Sequence, residues 1–410
     1  MQASLPYLKW VDEQSTTLLQ RVIKWARINS HSTHLSGLAS MLQLLKQEFA
    51  PLKGKITTIP LSPQLSVDQW GQPIEIPLGE VLSIRKRPEA PFQILLAGHM
   101  DTVYPPLHPF QSVEQINDKH LQGPGVTDMK GGLAILLTAL EAFERSPYAS
   151  QIGWEVLINP DEEIGSPGST PLFAAAAQKY QLGLIFEPSF ADGAFVSHRK
   201  GSANYTIVVK GQAAHAGRDF FSGKSAIYAM AHLIRQLEEL NSFDRGITVN
   251  VGRIEGGNAV NIVPDLAICR LNLRASTQDE LIATKMRIQA IVQACQKQFE
   301  ILFILIEDSF RLPKLLDSSM QMLLNAYQTC AQELDLSFHT KESGGVTDGN
   351  TLSAHGLPTL DSVGAIGGNI HTSKEYLLLS SLTERARLTT LFLFKLANQE
   401  VQLNQKRLHA

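Results

Sequence analysis

Four short apolar runs, each leading into or out of a polar cluster, constrain the fold of this chain more than any other feature. FQILLAG runs into His99, WEVLIN into Asn159–Pro160, LGLIF into Glu187, and LPTLDSVG opens at Leu357. Continuous apolar runs of this length read as strands buried on both faces of a sheet. Segments with helical spacing separate them, including MKGGLAILLTALEAFERS and STPLFAAAAQKY, so strand and helix alternate. That alternation predicts an α/β fold with helices on both faces of the sheet. In such sheets ligands bind beyond the carboxyl ends of the strands, where the polar clusters lie.

The pattern changes between Ser202 and Asp308. There the sequence reads as strand ANYTIVVKG, helix GKSAIYAMAHLIRQLEEL, strand GITVNVGRI, strand LAICRLNLRAS, helix QDELIATKMRIQAIVQACQK and strand FEILFILIED. The order βαββαβ is that of a ferredoxin-like domain, two helices on one face of a four-stranded antiparallel sheet. The expected division is therefore a first domain made of residues 1–201 and 309–410, with 202–308 inserted into it. The length of 410 residues agrees, since roughly 150 residues per domain gives two or three. Ahead of this, residues 15–49 predict two helices with a break near Asn29–Leu35, and the chain's last helix is expected from Leu382 to about Asn398.

Charge excludes some partners. Lys and Arg total 36 against 39 Asp and Glu, a net of −3, and charged residues make up 18% of the chain, below the roughly 25% usual for globular proteins. Neither nucleic acid nor a membrane surface is called for. No run approaches a membrane span, and the N-terminus lacks a basic segment followed by an apolar one. Cys269, Cys295 and Cys330 are scattered and without CxxC spacing, which suggests neither a disulfide framework nor a thiolate site. The expectation is a soluble, unexported protein of the reducing cytoplasm.

The clusters at the strand ends carry the chemistry. His99 and Asp101 in GHMDTV suit a metal-binding imidazole and a carboxylate that orients it. Asp128 in GPGVTDMKGG lies just before a helix expected near Lys130, so capping alone also accounts for it. Asp161, Glu162 and Glu163 in NPDEEIGSPGS repel one another, and a cation would relieve that repulsion, although a solvated loop would tolerate it. Glu187 in LIFEPS and His371 in GGNIHTSKEY complete the set. Imidazole and carboxylate without thiolate favour a borderline divalent ion, Zn²⁺ with Co²⁺ or Mn²⁺ as alternatives. Five protein ligands exceed what one catalytic zinc takes, and suit two ions if a carboxylate bridges them.

Taken in order, GHMDTV, GPGVTDMKGG, NPDEEIGSPGS, FEPS, GQAAHAG, GNAVNIVP, SGGVTDGN and HTSKEY resemble the M20 metallopeptidases, the group that includes glutamate carboxypeptidase, aminoacylase and acetylornithine deacetylase. The resemblance spans nearly the whole chain. It implies a mixed-sheet catalytic domain of zinc-peptidase type whose inserted domain acts as lid and dimerisation module. It also implies a ligand set: His99 and Glu187 on one ion, Glu163 and His371 on the other, Asp128 bridging, and a non-prolyl cis peptide after Asp128. Asp101 then orients His99, and Glu162 is the general base. His215 in GQAAHAG becomes an oxyanion donor, in the family offered to the other subunit's site. Arg274 and Asn261 become substrate-binding residues, with Gly344 and Gly345 lining the pocket. Arg199 or Lys200 would steer an acidic side chain or remain a solvated charge pair. The implied reaction is hydrolysis of an amide or peptide bond beside a free amino-acid carboxylate in a small substrate, as a glutamate carboxypeptidase does. The alternative is an N-acyl-amino-acid deacylase of acetylornithine or succinyl-diaminopimelate type. A non-catalytic metal-binding relative and a dinuclear phosphoesterase are the readings from other classes.

Overall fold

The computed structural model describes residues 4–401. Ten strands matter for the site: β1 (Lys55–Pro60), β2 (Glu80–Lys86), β3 (Phe92–His99), β4 (Ile152–Asn159), β5 (Leu182–Ile185), β6 (Gly201–Lys210), β7 (Thr248–Gly256), β8 (Leu266–Ala275), β9 (Leu302–Arg311) and β10 (Thr359–Leu360). The central sheet has the order β1-β2-β4-β3-β5-β10. Strands β4, β3, β5 and β10 run parallel, while β1 and β2 add an antiparallel edge.

The apolar run in β3 is continuous because both faces are covered. Side chains alternate along a strand, so Ile94 and Leu96 enter one core with helices Gly132–Glu144 and Ser380–Ala397, while Leu95 and Ala97 enter another with Phe173, Ala176 and Leu352. Helix Gly132–Glu144 lies tight against the sheet. A Cβ on Gly132 would fall 1.9 Å from the Phe186 carbonyl oxygen, so only glycine allows this approach. The consequence for the site is positional: the carboxyl ends of β3, β4 and β5 lie side by side and deliver His99, the Asp161–Glu163 turn and Glu187 to one edge.

Residues from Gly201 to Arg311 form a second unit with the element order βαββαβ. Its antiparallel sheet has the order β7-β8-β6-β9. Helices Ala226–Glu238 and Gln278–Phe299 cover one face around Ile207, Leu233, Leu271 and Ile288. The opposite face is partly covered by a hairpin of the first unit, Gln64–Val67 paired with Pro73–Ile76. Val67 packs on Val208 and Ile268, and Arg270 donates from Nη2 to the Val67 carbonyl at 3.1 Å. The two segments that join the units pair with each other: Arg199 and Lys314 exchange backbone hydrogen bonds of 3.0 Å in both directions. Asn350 Nδ2 donates to both crossings, to Lys200 O at 3.0 Å and Leu312 O at 2.8 Å.

Several expectations need correction. Asp128 is not a helix cap. The helix begins at Gly132 after an irregular turn, and Gly131 at its cap position makes no side-chain capping bond. The strand expected from Leu357 shrinks to Thr359–Leu360. Strands β1 and β2 and the Gln64–Ile76 hairpin were not legible, because their mixed polar composition lacks the continuous apolar signal of the parallel strands. Cys269, Cys295 and Cys330 are buried free thiols. Among the described residues no helix is long and apolar enough to cross a membrane.

Candidate metal centre

His99, the last residue of β3, is 1% exposed. Its Nδ1 lies 3.1 Å from the Asp101 carbonyl oxygen and 3.3 Å from the Asp101 carboxylate. Its Nε2 therefore points the other way, to Asp128 Oδ1 at 3.1 Å and Glu187 Oε1 at 3.7 Å. On the far side of Asp128, His371 Nε2 sits 3.2 Å from Oδ2 and 3.1 Å from Glu163 Oε2. The Asp128 carboxylate thus faces one histidine with each oxygen, the disposition a bridging ligand requires. The peptide bond after Asp128 is cis, as the resemblance implies. The structure brings His99, Asp128, Glu163, Glu187 and His371 together.

The electrostatics of the cluster fit divalent cations. Burial, and after it the nearby Asp128 charge, push Glu163 up to about 8, and burial drives Glu187 well above the usual carboxylate range. Asp128 is also buried, yet hydrogen bonds from His371 and His99 hold it below its ordinary value. Hydrogen bonds to Asp128 and Glu163 raise His371 to about 11. Burial opposes the same shift at His99, but Asp101 and Asp128 overcome it. Three buried acids therefore draw positive charge into the cluster, and divalent ions would supply it in place of protons. Among the described residues two donor groups meet the spatial requirement for an ion, His99 with Asp128 and Glu163, and His99 with Glu162 and Glu187.

Asp101 does more than orient His99. Its carboxylate accepts from the backbone N–H of Glu162 at 3.2 Å and of Glu163 at 3.1 Å, and from Ser32 Oγ at 2.7 Å. The first acid of the triplet, Asp161, faces inward and closes its own turn, accepting from Gly168 N at 2.8 Å and Ser169 N at 3.1 Å. Glu162 accepts from Arg311 Nη1 at 3.0 Å. The acidic triplet is thus a built turn with three different roles, not a solvated loop.

A cleft of about 300 Å³ opens over these groups. Asp128, Glu162, Glu163, Glu187 and His371 form one wall, while Phe190, Val196, Gly345, Val346, Thr347 and Ile370 add a less polar one. Arg199 also lines it. It is no solvated charge pair, since it is 5% exposed and donates from Nε to Asp361 at 2.8 Å. Lys200 turns instead to the Gly246 carbonyl. The remaining expected residues lie elsewhere. His215 and Asn261 neighbour one another in exposed loops of the second unit, joined by the Ala216 N to Asn261 O bond, and neither lines the cleft of this chain. Arg274 and Gly344 also lie outside the cleft lining: Arg274 donates to the Gly344 carbonyl, next to the lining residue Gly345.

Two functional candidates escaped the sequence reading. Glu375, 1% exposed, gathers the backbone N–H groups of Gly125 (3.0 Å), Thr127 (2.9 Å) and Asp128 (3.0 Å), and accepts from Tyr104 Oη at 2.8 Å. It ties the loop carrying His371 to the loop carrying Asp128. Its position inside HTSKEY was the available signal. The other, Arg311, ends an ordinary-looking strand and gave none.

Comparison with known proteins places the chain in a family and a fold. Residues 95–395 match the model of Peptidase family M20/M25/M40. A succinyl-diaminopimelate desuccinylase of Hahella chejuensis is 28% identical over 333 residues, 76% of this chain and 84% of that protein. Carboxypeptidase G2 of Pseudomonas sp. is 26% identical over 303 residues, 71% of each. A probable carboxypeptidase of Aspergillus terreus is 34% identical over 207 residues, so the match spans only 46% of that relative's length and 46% of this chain. In overall fold the chain resembles an M20 family metallo-carboxypeptidase from Sulfolobus solfataricus, with a TM-score of 0.69 at 16% identity, covering 92% of this chain and 98% of that one.

Proposed function

From the premise that this chain belongs to peptidase family M20/M25/M40, whose members are metal-dependent hydrolases, we propose that it hydrolyses an amide or peptide bond next to a free amino-acid carboxylate. One observation carries the reading: Asp128 presents one carboxylate oxygen to His99 and the other to His371, with Glu187 and Glu163 beside them. His99 and Glu187 would hold one divalent ion and His371 and Glu163 the other, with Asp128 shared, and zinc suits this donor set. Such ions, when bound, supply Lewis acidity that polarises an amide carbonyl and makes water acidic enough to react near neutral pH.

The chain's own residues do the rest. Glu162 lines the cleft and is not needed as a ligand, so it serves as the general base that takes the proton from water and returns it to the leaving amine. Asp101 fixes both the His99 ring and the backbone of Glu162. The second unit, in this reading residues 202–308 as a ferredoxin-like lid on the catalytic domain of 1–201 and 309–410, would as the units close bring Arg274 from the Gly344 carbonyl to the substrate carboxylate, a group that a guanidinium fork matches. His215 and Asn261 would act in the partner's cleft of a homodimer formed through this unit. Their exposure, together with that of Phe221, Phe243 and Val260 on the same unit, supports that arrangement. Carboxypeptidase G2 and the desuccinylase among the relatives support a peptide or N-acyl-amino-acid substrate, with deacylation as the second reading.

The test is to assay metal-loaded protein on dipeptides and N-acyl amino acids with a free carboxylate, beside Glu162→Ala. A chelator should abolish turnover and added Zn²⁺, Co²⁺ or Mn²⁺ restore it, and the variant should lose roughly 10²–10⁴-fold in kcat while still binding metal. Equal rates in the two proteins would remove Glu162 from its role.

A further inference from the structure

Glu162 stands close enough to His99 and Glu187 for the three to hold a metal ion. A base must not become a ligand, so something has to keep its carboxylate off the ions. We infer that Arg311 does this: it is a positioning residue that holds Glu162 in its role as base, and it is itself anchored by Asp348. The inference rests on the reading of Glu162 given above.

Arg311 closes β9, the strand by which the second unit returns to the first, and is 5% exposed. It does not line the cleft and acts only through what it touches. Its Nη1 donates to Glu162 Oε1 at 3.0 Å and its Nη2 to Asp348 Oδ1 at 3.1 Å. Its buried Nε has no partner, so these two bonds are its polar attachments among the described residues. Asp348 is the more rigid of the two acids. It begins helix Asp348–Ala354, is 3% exposed, and accepts from Ser166 Oγ at 2.6 Å and Asn159 Nδ2 at 2.9 Å. Asn159 and Ser166 bracket the turn that carries Glu162.

The guanidinium fork thus hangs from a fixed carboxylate and points its second N–H at a movable one. A fork has two parallel donors at a set separation, which a lysine ammonium cannot reproduce. Asp101 holds the backbone N–H of Glu162 from the other side at 3.2 Å. With its main chain held and Oε1 taken up by Arg311, Glu162 faces the cleft beside His99 and Glu187. Removing Arg311 leaves two buried acids without their shared cation and frees Glu162 to turn toward the ions as an extra ligand.

The experiment compares Arg311→Met, Arg311→Lys, Glu162→Gln and the Glu162→Gln/Arg311→Met double variant, each loaded with Zn²⁺ for kinetics and Co²⁺ for visible absorption, with circular dichroism to establish folding. Arg311→Met should lose about 10²-fold or more in kcat with KM within about threefold, the pattern of a lost transition-state interaction. Its Co²⁺ absorption should weaken as coordination rises, and Arg311→Lys should recover part of both. In the Glu162→Gln background the Arg311 change should alter neither kcat nor spectrum. A folded Arg311→Met protein with unchanged kcat, an unchanged Co²⁺ spectrum, or an equal loss in the Glu162→Gln background would overturn the inference. If Arg311→Met does not fold, Arg311→Lys decides: wild-type kcat and spectrum overturn the inference, and reduced kcat with a weakened spectrum supports it. Wild-type activity in Glu162→Gln would instead overturn the assignment of the base, so the two failures are distinguishable.

Discussion

The residues that hold other residues decide how this site works. Glu375 collects three backbone N–H groups from the loop that presents Asp128, 247 to 250 positions away in sequence. Replacing it with Gln would set an amide N–H₂ against those donors. The expected outcome for Glu375→Gln is a loss of about 1–3 kcal/mol in stability and roughly 10–100-fold weaker binding of at least one ion, read by thermal unfolding and by calorimetric titration with Zn²⁺. An unaltered titration would refute the role. The five candidate ligands were legible in sequence because each is a polar residue beside an apolar run or a glycine-rich turn, where solvation alone does not explain it. Glu375 and Arg311 were not legible, since their partners are backbone amides and a distant carboxylate that only the fold brings near. Asp128 was legible as a residue but ambiguous in role, and the ambiguity ended only when the helix proved to start four residues later, at Gly132.

Among the elements, the short helix Asp348–Ala354 does three separate tasks in its first turn. Thr347 caps it in a reciprocal box with Asn350, Asp348 anchors Arg311, and Asn350 bonds both segments that cross between the units. The carbonyls of Lys200 and Leu312 depend on that one amide. Asn350→Ala should therefore cost about 1–3 kcal/mol in unfolding free energy, because it strands two half-buried acceptors and removes the capping side chain, and should raise KM more than it lowers kcat if the crossings set how the second unit meets substrate. A melting temperature equal to wild type would contradict this. The strand and helix order of the second unit was readable from its sequence pattern, as its helices and the strands other than Gly201–Lys210 alternate buried and more exposed positions. Strands β1 and β2 were not, because antiparallel strands tolerate polar residues that a parallel interior strand excludes.

At the scale of the whole molecule, the two units meet at the paired crossings and again where the Gln64–Ile76 hairpin lies on the back of the second sheet. If the second unit also mediates dimerisation, sedimentation should give a particle of twice the chain's mass, and a charged residue in place of Val260 should return it to the monomer. A monomer at micromolar concentration would count against His215 and Asn261 serving a partner's cleft. The hairpin carries a consequence of its own. Val208, Ile268 and, at their margin, Ile304 and Ile306 owe their shelter to Val67, which comes from a stretch of chain more than a hundred residues upstream. Anyone grafting this insertion onto another scaffold, or exchanging it between relatives to redirect specificity, would have to transplant the Gln64–Ile76 ribbon as well, or accept a greasy underside that invites aggregation.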